Sequence, residues 1–214
     1  MKDLTGLPLE VRILHNAFVV FTERGYENAS MDEVALAAGT TKRTVYSHFR
    51  NKEALFRAAI SQAIEWFLSE LPKIDPDGDP EHELVTFINQ FSDLSTWRRP
   101  VLLQRVVMSE ADRLPELGRL LHEKVIIGAE QVIAEFLEAR FKVTSSSYES
   151  DMLQSAGVLA SYLLNMATGP QRVAALMEAR IPSQDHPSVS GGKRDIEQVR
   201  LAVRFFLSGL ASTA

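Results

Sequence analysis

The chain has 214 residues, of which 45% are hydrophobic and 24% charged, a balance typical of folded globular proteins. It contains no cysteine, which excludes disulfides, thiolate metal sites and cysteine nucleophiles. We find neither a signal peptide nor the run of about 20 apolar residues that a membrane helix needs. The sequence therefore predicts a cytoplasmic protein with no membrane partner.

The charge is unevenly distributed along the chain. The formal net charge is −5 and the pI is about 5.6, whereas many nucleic-acid-binding proteins carry a basic surplus. Between Thr40 and Arg57, however, five basic side chains and the single acid Glu53 leave a local charge of +4. Phosphates respond mainly to the charges near them. The sequence therefore predicts a small basic patch on an acidic body.

The first predicted helix covers Leu9–Arg24, where apolar side chains recur at spacings of three and four. Gly25 stands where a helix commonly ends in a left-handed residue. Ser30 and Glu33 have the spacing of a capping box, in which each side chain accepts from the other residue's amide. The capping box predicts a short second helix from Met31 to about Ala38.

A third helix is predicted from the cap Thr41 to about His48, after a turn at Gly39-Thr40. Asn51 is the cap of a fourth, longer helix that begins at Lys52. Short helices joined by such tight turns indicate a helix-turn-helix. Its apolar positions are expected to form the core that holds the second and third helices against the first: Val34, Ala35, Ala38, Val45 and Phe49.

The segment Pro72–Pro80 is predicted to be a connector because its prolines and glycine exclude a helix. Its alternating aspartates do not form a calcium loop, since the sixth position is Pro80 and the twelfth is Thr86. Pro182–Arg194 is predicted to be a mobile loop. The remaining predicted helices are 81–97, 101–111, 116–141, 147–168, 171–179 and 195–210.

Residues 25–55 closely resemble the DNA-binding domain of the TetR family of bacterial regulators. The stretch Arg98–Leu117 is similar to the AefR-like subgroup of that family. The resemblance implies an all-α fold, with a three-helix helix-turn-helix DNA-binding domain at 1–51 and a helical ligand-binding and dimerisation domain at 52–214. The landmarks that carry the resemblance are Gly25-Tyr26, Val34-Ala35, Ala38-Gly39, Tyr46-x-His48-Phe49 and Asn51-Lys52-Glu53.

The first turn of the third helix is expected to reach the major groove of double-stranded operator DNA. Lys42 and Arg43 can pair with guanine, although a merely solvated face is the alternative for both. The family resemblance implies phosphate contacts for Tyr46 and His48, and Lys52 adds charge at the fourth helix N-terminus. The predicted DNA-binding residues are Thr40, Thr41, Lys42, Arg43, Thr44, Tyr46, His48 and Lys52.

One recognition helix reads too few base pairs for useful specificity, so we expect a homodimer on a palindrome. The last helix carries apolar residues at spacings of three and four, and small residues near Ala160 would allow close packing beside it. The alternative is that these residues form internal core. The predicted interface residues are Ala160, Ile196, Val199, Val203, Phe206 and Leu210.

The middle helices combine large or adaptable apolar side chains with a few polar ones, as in small-molecule pockets. Most of these residues are equally compatible with an ordinary core. The resemblance implies an effector whose binding releases the DNA, through preference for the non-binding state. The predicted ligand-binding residues are Trp66, Phe67, Phe91, Trp97, Gln104, Arg105, Met108 and Asn165.

Other functions were weighed against a ligand-responsive repressor. The sequence lacks an HExxH motif, a phosphate-binding loop and a GxSxG motif, so we predict no enzyme, catalytic residues, cofactor or metal site. A transcriptional activator remains an alternative, because promoter geometry decides the sign of regulation. A TetR-like partner protein, lacking either an effector or DNA binding, is the other alternative.

Overall fold

The computed structural model describes residues 6–141, 155–178, 185–190 and 196–213, and every regular element within these ranges is helical. The all-α prediction is thus confirmed. The chain divides into two compact units. The first contains the described residues up to Ser69 together with Leu102–Leu121, and the second contains Glu70–Val101 and the described residues from 122 onward. The functional boundary at residue 52 stays a prediction.

The first four helices occur close to their predicted positions. They are α1 (Leu9–Asn28), α2 (Met31–Ala37), α3 (Lys42–His48) and α4 (Lys52–Ser69). The regular part of α1 ends at Arg24 as predicted, because Gly25 has the non-helical angles φ 78° and ψ 163°, and a short further turn continues to Asn28. The carbonyl of this glycine accepts a hydrogen bond from the Ala29 amide, which closes one further turn.

All three predicted caps form. The Ser30 hydroxyl accepts from the Glu33 amide at 3.2 Å, and the Glu33 carboxylate accepts from the Ser30 amide at 3.0 Å. The Thr41 hydroxyl accepts from the Thr44 amide at 3.2 Å. The Asn51 side-chain oxygen accepts from the amide three residues on at 2.8 Å. Each cap satisfies an amide that the helix itself leaves without a partner.

In the first unit, α1 packs against α2 and α4, while α2 packs against α3 and α4 contacts a later helix, Pro115–Leu121. The core is aromatic and aliphatic. Its largest fully buried side chains are Ile13, Phe21, Leu55, Phe56 and Ile60.

Four helical segments follow the connector: α5 (Pro80–Thr96), α6 (Arg98–Ser109), α7 (Pro115–Leu121) and α8 (Gly128–Phe141). The predicted single helix 116–141 instead contains a π-helical segment, His122–Ile127, between α7 and α8. A π-helical turn adds a residue to the helix, which spacing patterns do not reveal.

The aspartates of the connector have structural roles. Asp79 caps α5 by accepting from the His82 amide at 2.9 Å, and Asp75 accepts from the Asp77 amide at 3.0 Å. The part of the chain that the structure describes contains no group of three His, Cys, Asp or Glu able to hold a metal ion. Nor does any helix in the described ranges have the length and apolarity to cross a membrane.

The last helices are α9 (Ala156–Met177), α10 (Pro187–Ser190) and α11 (Ile196–Thr213). The prediction of two helices separated at Pro170 was wrong, since α9 continues through this proline. A proline removes one amide donor from a helix. Packing of α9 against α5, α8 and α11 offsets that loss. Residues 147–154 of the predicted helix and most of the predicted loop lie outside the described residues.

The second unit is built around α5, which packs against α9 and α11, while α8 packs against α9. Its largest fully buried side chains are Leu84, Phe87, Ile88, Phe91, Ile133, Leu137 and Leu163.

Candidate nucleic-acid interface

Helices α2 and α3 are joined through a small buried core. The five apolar residues predicted to form this core are all buried, and this confirms that part of the prediction. They are Val34, Ala35, Ala38, Val45 and Phe49. Because Val45 is the buried residue of α3, the opposite side of this short helix faces solvent.

The turn between α2 and α3 is fixed by backbone hydrogen bonds and by an arginine from α1. Gly39 adopts φ 64°, in the left-handed region that favours glycine. The Thr40 amide donates to the Ala35 carbonyl at 2.9 Å, and Arg12 Nη2 donates to the Ala38 carbonyl at 2.6 Å. The direction of α3 is therefore set by α1 and α2.

Most predicted DNA-binding residues lie together on the solvent side of α3. Lys42, Arg43, Tyr46 and His48 are exposed, as is the cap Thr41. Thr40 and Thr44 are half-buried. The hydroxyls of Thr41 and Thr44 share a hydrogen bond of 2.9 Å, which ties both side chains to the helix N-terminus. The exposed side chains among them present hydrogen-bond donors and acceptors to solvent.

Lys42 is engaged within the protein. Its Nζ donates to Asp32 Oδ2 at 2.7 Å, and this hydrogen bond raises the pKa of Lys42 above its ordinary value. The pair joins α3 to α2. Arg43 and Arg50 are exposed and form no ion pair within the described part of the chain. The two arginines, at the start of α3 and just after its end, are thus the more available cations.

Lys52 has a structural role that its position in the sequence did not reveal. Its Nζ donates to the carbonyls of Glu27 and Ala29 at 3.0 and 3.1 Å. The same ammonium lies 4.6 Å from the centre of the Tyr26 ring. The side chain therefore connects the start of α4 to the end of α1, and its contact with phosphate stays a prediction.

Tyr26 is the centre of a second missed feature. Its buried ring packs against Phe21 and Phe56, and the Arg113 guanidinium lies 4.8 Å from the ring centre. Burial raises the pKa of Tyr26, and the nearby Arg113 charge opposes that shift. Arg113 also forms an ion pair with Glu27. Since Arg113 lies 86 residues beyond Glu27, only the tertiary structure brings them together.

Arg57 belongs to an ion-pair network. Its guanidinium contacts Glu53 at 2.9 Å and Glu116 at 2.5 Å. The hydrogen bond that Arg57 donates to Glu53 is the main cause that raises the pKa of Arg57. Of the five cations in the predicted basic patch, Lys42 and Arg57 are therefore neutralised by carboxylates. The basic patch that DNA would meet is smaller than the sequence count of +4.

The eight predicted ligand-binding residues do not form one cluster within either unit. Five belong to the first unit: Trp66, Phe67, Gln104, Arg105 and Met108. The other three, Phe91, Trp97 and Asn165, belong to the second. Phe91 is fully buried, whereas the side chain of Met108 is 62% exposed and Asn165 is also exposed. Their assignment to a ligand site stays a prediction.

The predicted dimer residues divide into core and surface. Ala160, Val199 and Val203 are buried within the chain, as the alternative of internal core expects, and their part in a dimer interface stays a prediction. Ile196 is 40% exposed, and Phe206 and Leu210 are half-buried. The apolar stripe of α11 that the spacing identified thus packs largely inward.

A second, exposed apolar face escaped the sequence analysis. On α11 it consists of Leu201 and Phe205, whose exposed fractions are 69% and 71%. On α9 it includes four large side chains at successive spacings of four, seven and four: Tyr162, Met166, Val173 and Met177. Such a surface is unusual for a monomer and typical of an interaction site.

Comparison with known families places two models on the chain. Residues 13–59 match the model described as bacterial regulatory proteins, tetR family. Residues 82–143 match the C-terminal domain of AefR-like transcriptional repressors.

Curated relatives include two regulators. The biofilm operon icaADBC HTH-type negative transcriptional regulator IcaR of Staphylococcus epidermidis is 26% identical over 54% of this chain and 66% of its own length. The HTH-type transcriptional regulator UidR of Escherichia coli is 25% identical over 76% of this chain and 79% of its own. The chain thus spans just under two thirds of IcaR.

Solved structures show the same fold. The flavonoid-responsive regulator FrrA has a TM-score of 0.70 at 23% identity, covering 94% of this chain and 96% of its own. A TetR family transcriptional regulator from Pseudomonas syringae has a TM-score of 0.61 at 21% identity, covering 97% of each chain.

Proposed function

Because the chain belongs to the TetR family of bacterial transcriptional regulators, we propose that it is a ligand-responsive repressor that binds a palindromic operator as a homodimer. The family and the relatives are regulators rather than enzymes. The observation that supports the proposal is the solvent side of α3, where exposed basic and hydroxyl side chains follow a capped helix N-terminus. This arrangement suits a major groove.

The residues of α3 divide into two roles in this proposal. Arg43 reads a base edge, because its guanidinium is exposed and its two-pronged geometry matches guanine. Lys42 binds both Asp32 and a phosphate of the DNA. Tyr46 and His48 bind the sugar-phosphate backbone of the DNA. Phosphate contacts position a protein, whereas base contacts give specificity. Loss of Arg43 is therefore expected to affect sequence preference more than loss of Lys42.

Dimerisation in this proposal uses the exposed apolar face of α9 and α11 and not the buried stripe of α11. The supporting observation is the six large exposed side chains that were assigned to this face above, four on α9 and two on α11. Two copies related by a two-fold axis would cover these side chains and present two α3 helices to successive major grooves, roughly 34 Å apart.

The effector in this proposal is a small, largely apolar molecule bound by the second unit. The name of the structural neighbour FrrA describes it as flavonoid-responsive, and IcaR is named a negative regulator. The first name supports a small-molecule ligand, and the second supports repression. Release requires that the ligand bind more tightly to the conformation that does not bind DNA.

The test is recovery of bound genomic fragments by the purified protein, followed by gel-shift titration on the recovered site. We expect a palindrome, and a loss of at least about 100-fold in affinity for the double variant Lys42→Ala/Arg43→Ala, since two charged contacts are removed. The matched control is Arg119→Ala, which removes an exposed arginine of α7 in the same unit. Operator affinity that survives the double change contradicts the assignment of α3.

A further inference from the structure

Arg172 on α9 is a half-buried arginine in the second unit, and no anion among the described residues is hydrogen-bonded to it. Its guanidinium carbon lies 5.6 Å from the centre of the fully buried Phe91 ring. Its Nε is inaccessible to solvent and has no hydrogen-bond partner among the described residues. Burial lowers the pKa of Arg172, and the charge of Glu130 opposes that shift.

Glu130 does not neutralise this arginine by direct contact. Within the described part of the chain, the two side chains form no ion pair, and Glu130 Oε1 instead lies 3.5 Å from Asn165 Nδ2. Asn165 also donates to the Ser161 carbonyl at 2.9 Å, so it is fixed to its own helix. Burying the Nε of a charged guanidinium without a hydrogen-bond acceptor is unfavourable, and a paired carboxylate would relieve that cost.

A second buried donor lies in the same unit. Trp97, directly after α5, has an inaccessible Nε1 without a hydrogen-bond partner in the described ranges. Its ring lies edge-on to His186, with the ring centres 5.2 Å apart. Trp97 adjoins α5 and Arg172 belongs to α9, and these two helices pack together. Buried donors that native proteins leave unpaired are uncommon, and an acceptor-bearing ligand is one way to satisfy them.

We propose that Arg172 binds the carboxylate of the effector, which is therefore an amphipathic organic acid whose aromatic or aliphatic body packs beside Phe91. The fork of an arginine matches the two oxygens of a carboxylate, and its flat face already lies over an aromatic ring. This inference rests on the proposed function, because it assumes that the second unit binds a small molecule. It adds the chemical class of that molecule and the residue that selects it.

The experiment compares matched acids and amides on the full-length protein. The probes are 2-naphthoate against 2-naphthamide and decanoate against decanamide, with dissociation constants from calorimetry and thermal shifts. We expect each acid to bind at least about tenfold more tightly than its amide, the size of one charge-assisted contact. In Arg172→Gln the acid and the amide bind with equal affinity.

The control variant is Arg140→Gln. Arg140 also lies over a phenylalanine ring, 5.9 Å from the centre of Phe141, but it is exposed on α8. This variant is expected to retain the preference for acids. A conservative variant, Arg172→Lys, keeps the charge without the fork, and we expect it to retain a reduced preference. It keeps the test valid if Arg172→Gln fails to fold.

Three results would overturn the inference. They are no acid-over-amide preference in the wild-type protein, a preference unchanged in both Arg172 variants, and a folded Arg172→Gln that has lost the wild-type oligomeric mass. The last result would assign Arg172 to a contact between copies. The gel shift without ligand tests the proposed function separately, because it measures operator binding and not the preference for acids. A protein that binds no operator but prefers acids refutes the proposed function alone.

Discussion

A single lysine can set the geometry of an interface through contacts inside the protein. The two carbonyls that accept from Lys52 belong to Glu27 and Ala29, between the last turn of α1 and the start of α2. Its ammonium also lies over the face of Tyr26, where a cation is attracted by the ring electrons. Lys52 thus holds the segment that leads into the helix-turn-helix.

This role predicts a loss of stability when the charge of Lys52 is removed. Lys52→Met keeps the length of the side chain, and we expect the free energy of unfolding to fall by about 1–3 kcal/mol. Two carbonyls lose a charged donor, and Tyr26 loses its cation. The measurement is urea denaturation followed by circular dichroism, with operator affinity from gel shifts.

The neighbouring Arg50 is the matched control for Lys52. It is exposed and unpaired in the described structure, so Arg50→Met should leave stability unchanged while weakening DNA binding. If Lys52→Met weakened DNA binding with no effect on unfolding, Lys52 would act through phosphate alone.

At the scale of elements, the sequence predicts those features of the helices that depend on contacts between residues a few positions apart. The caps of α2, α3 and α4 each involve a side chain and an amide three positions apart, so sequence spacing identified them. The continuation of α9 through Pro170 depends on packing against three other helices, which local spacing does not encode. Two cations, Lys52 and Arg113, lie over the Tyr26 ring, and only the folded chain brings Arg113 near it.

The turn between α2 and α3 depends on the glycine at its centre. A Cβ added to Gly39 would meet Arg12 Nη2 at 3.3 Å, and the residue already has φ 64°. Gly39→Ala combines a left-handed backbone, which costs other residues about 1–2 kcal/mol, with displacement of the arginine that binds the Ala38 carbonyl. We expect a lower melting temperature and weaker operator binding.

Gly118→Ala is the control for this substitution. Gly118 lies inside α7 in the same unit, and a Cβ there would meet no atom within 4 Å. Because alanine favours helices more than glycine does, this change should stabilise the protein by up to about 1 kcal/mol. Equal melting temperatures for the two variants would show that the Gly39 turn carries no special constraint.

At the scale of the whole molecule, α11 has two apolar faces with different tasks. Val199 and Val203 are buried and belong to the core of the second unit. Leu201 and Phe205 lie on the exposed face of the same helix. Because both faces follow helical spacing, periodicity alone does not tell which one packs inward. The burial of Val199 and Val203 identifies the face that packs inward. We therefore propose that the other, exposed face makes the contact between copies.

Substitution by glutamate at three positions distinguishes a core residue, a residue of the proposed dimer contact and an ordinary surface residue. Phe205→Glu puts a charge into the proposed contact, so we expect monomers on a sizing column with unchanged helicity. Val203→Glu buries a carboxylate at a site with 0% exposure, so we expect loss of folding. Leu36→Glu, at a leucine of α2 that is 83% exposed, should leave both mass and melting temperature unchanged. A dimer that survives Phe205→Glu places the contact between copies elsewhere.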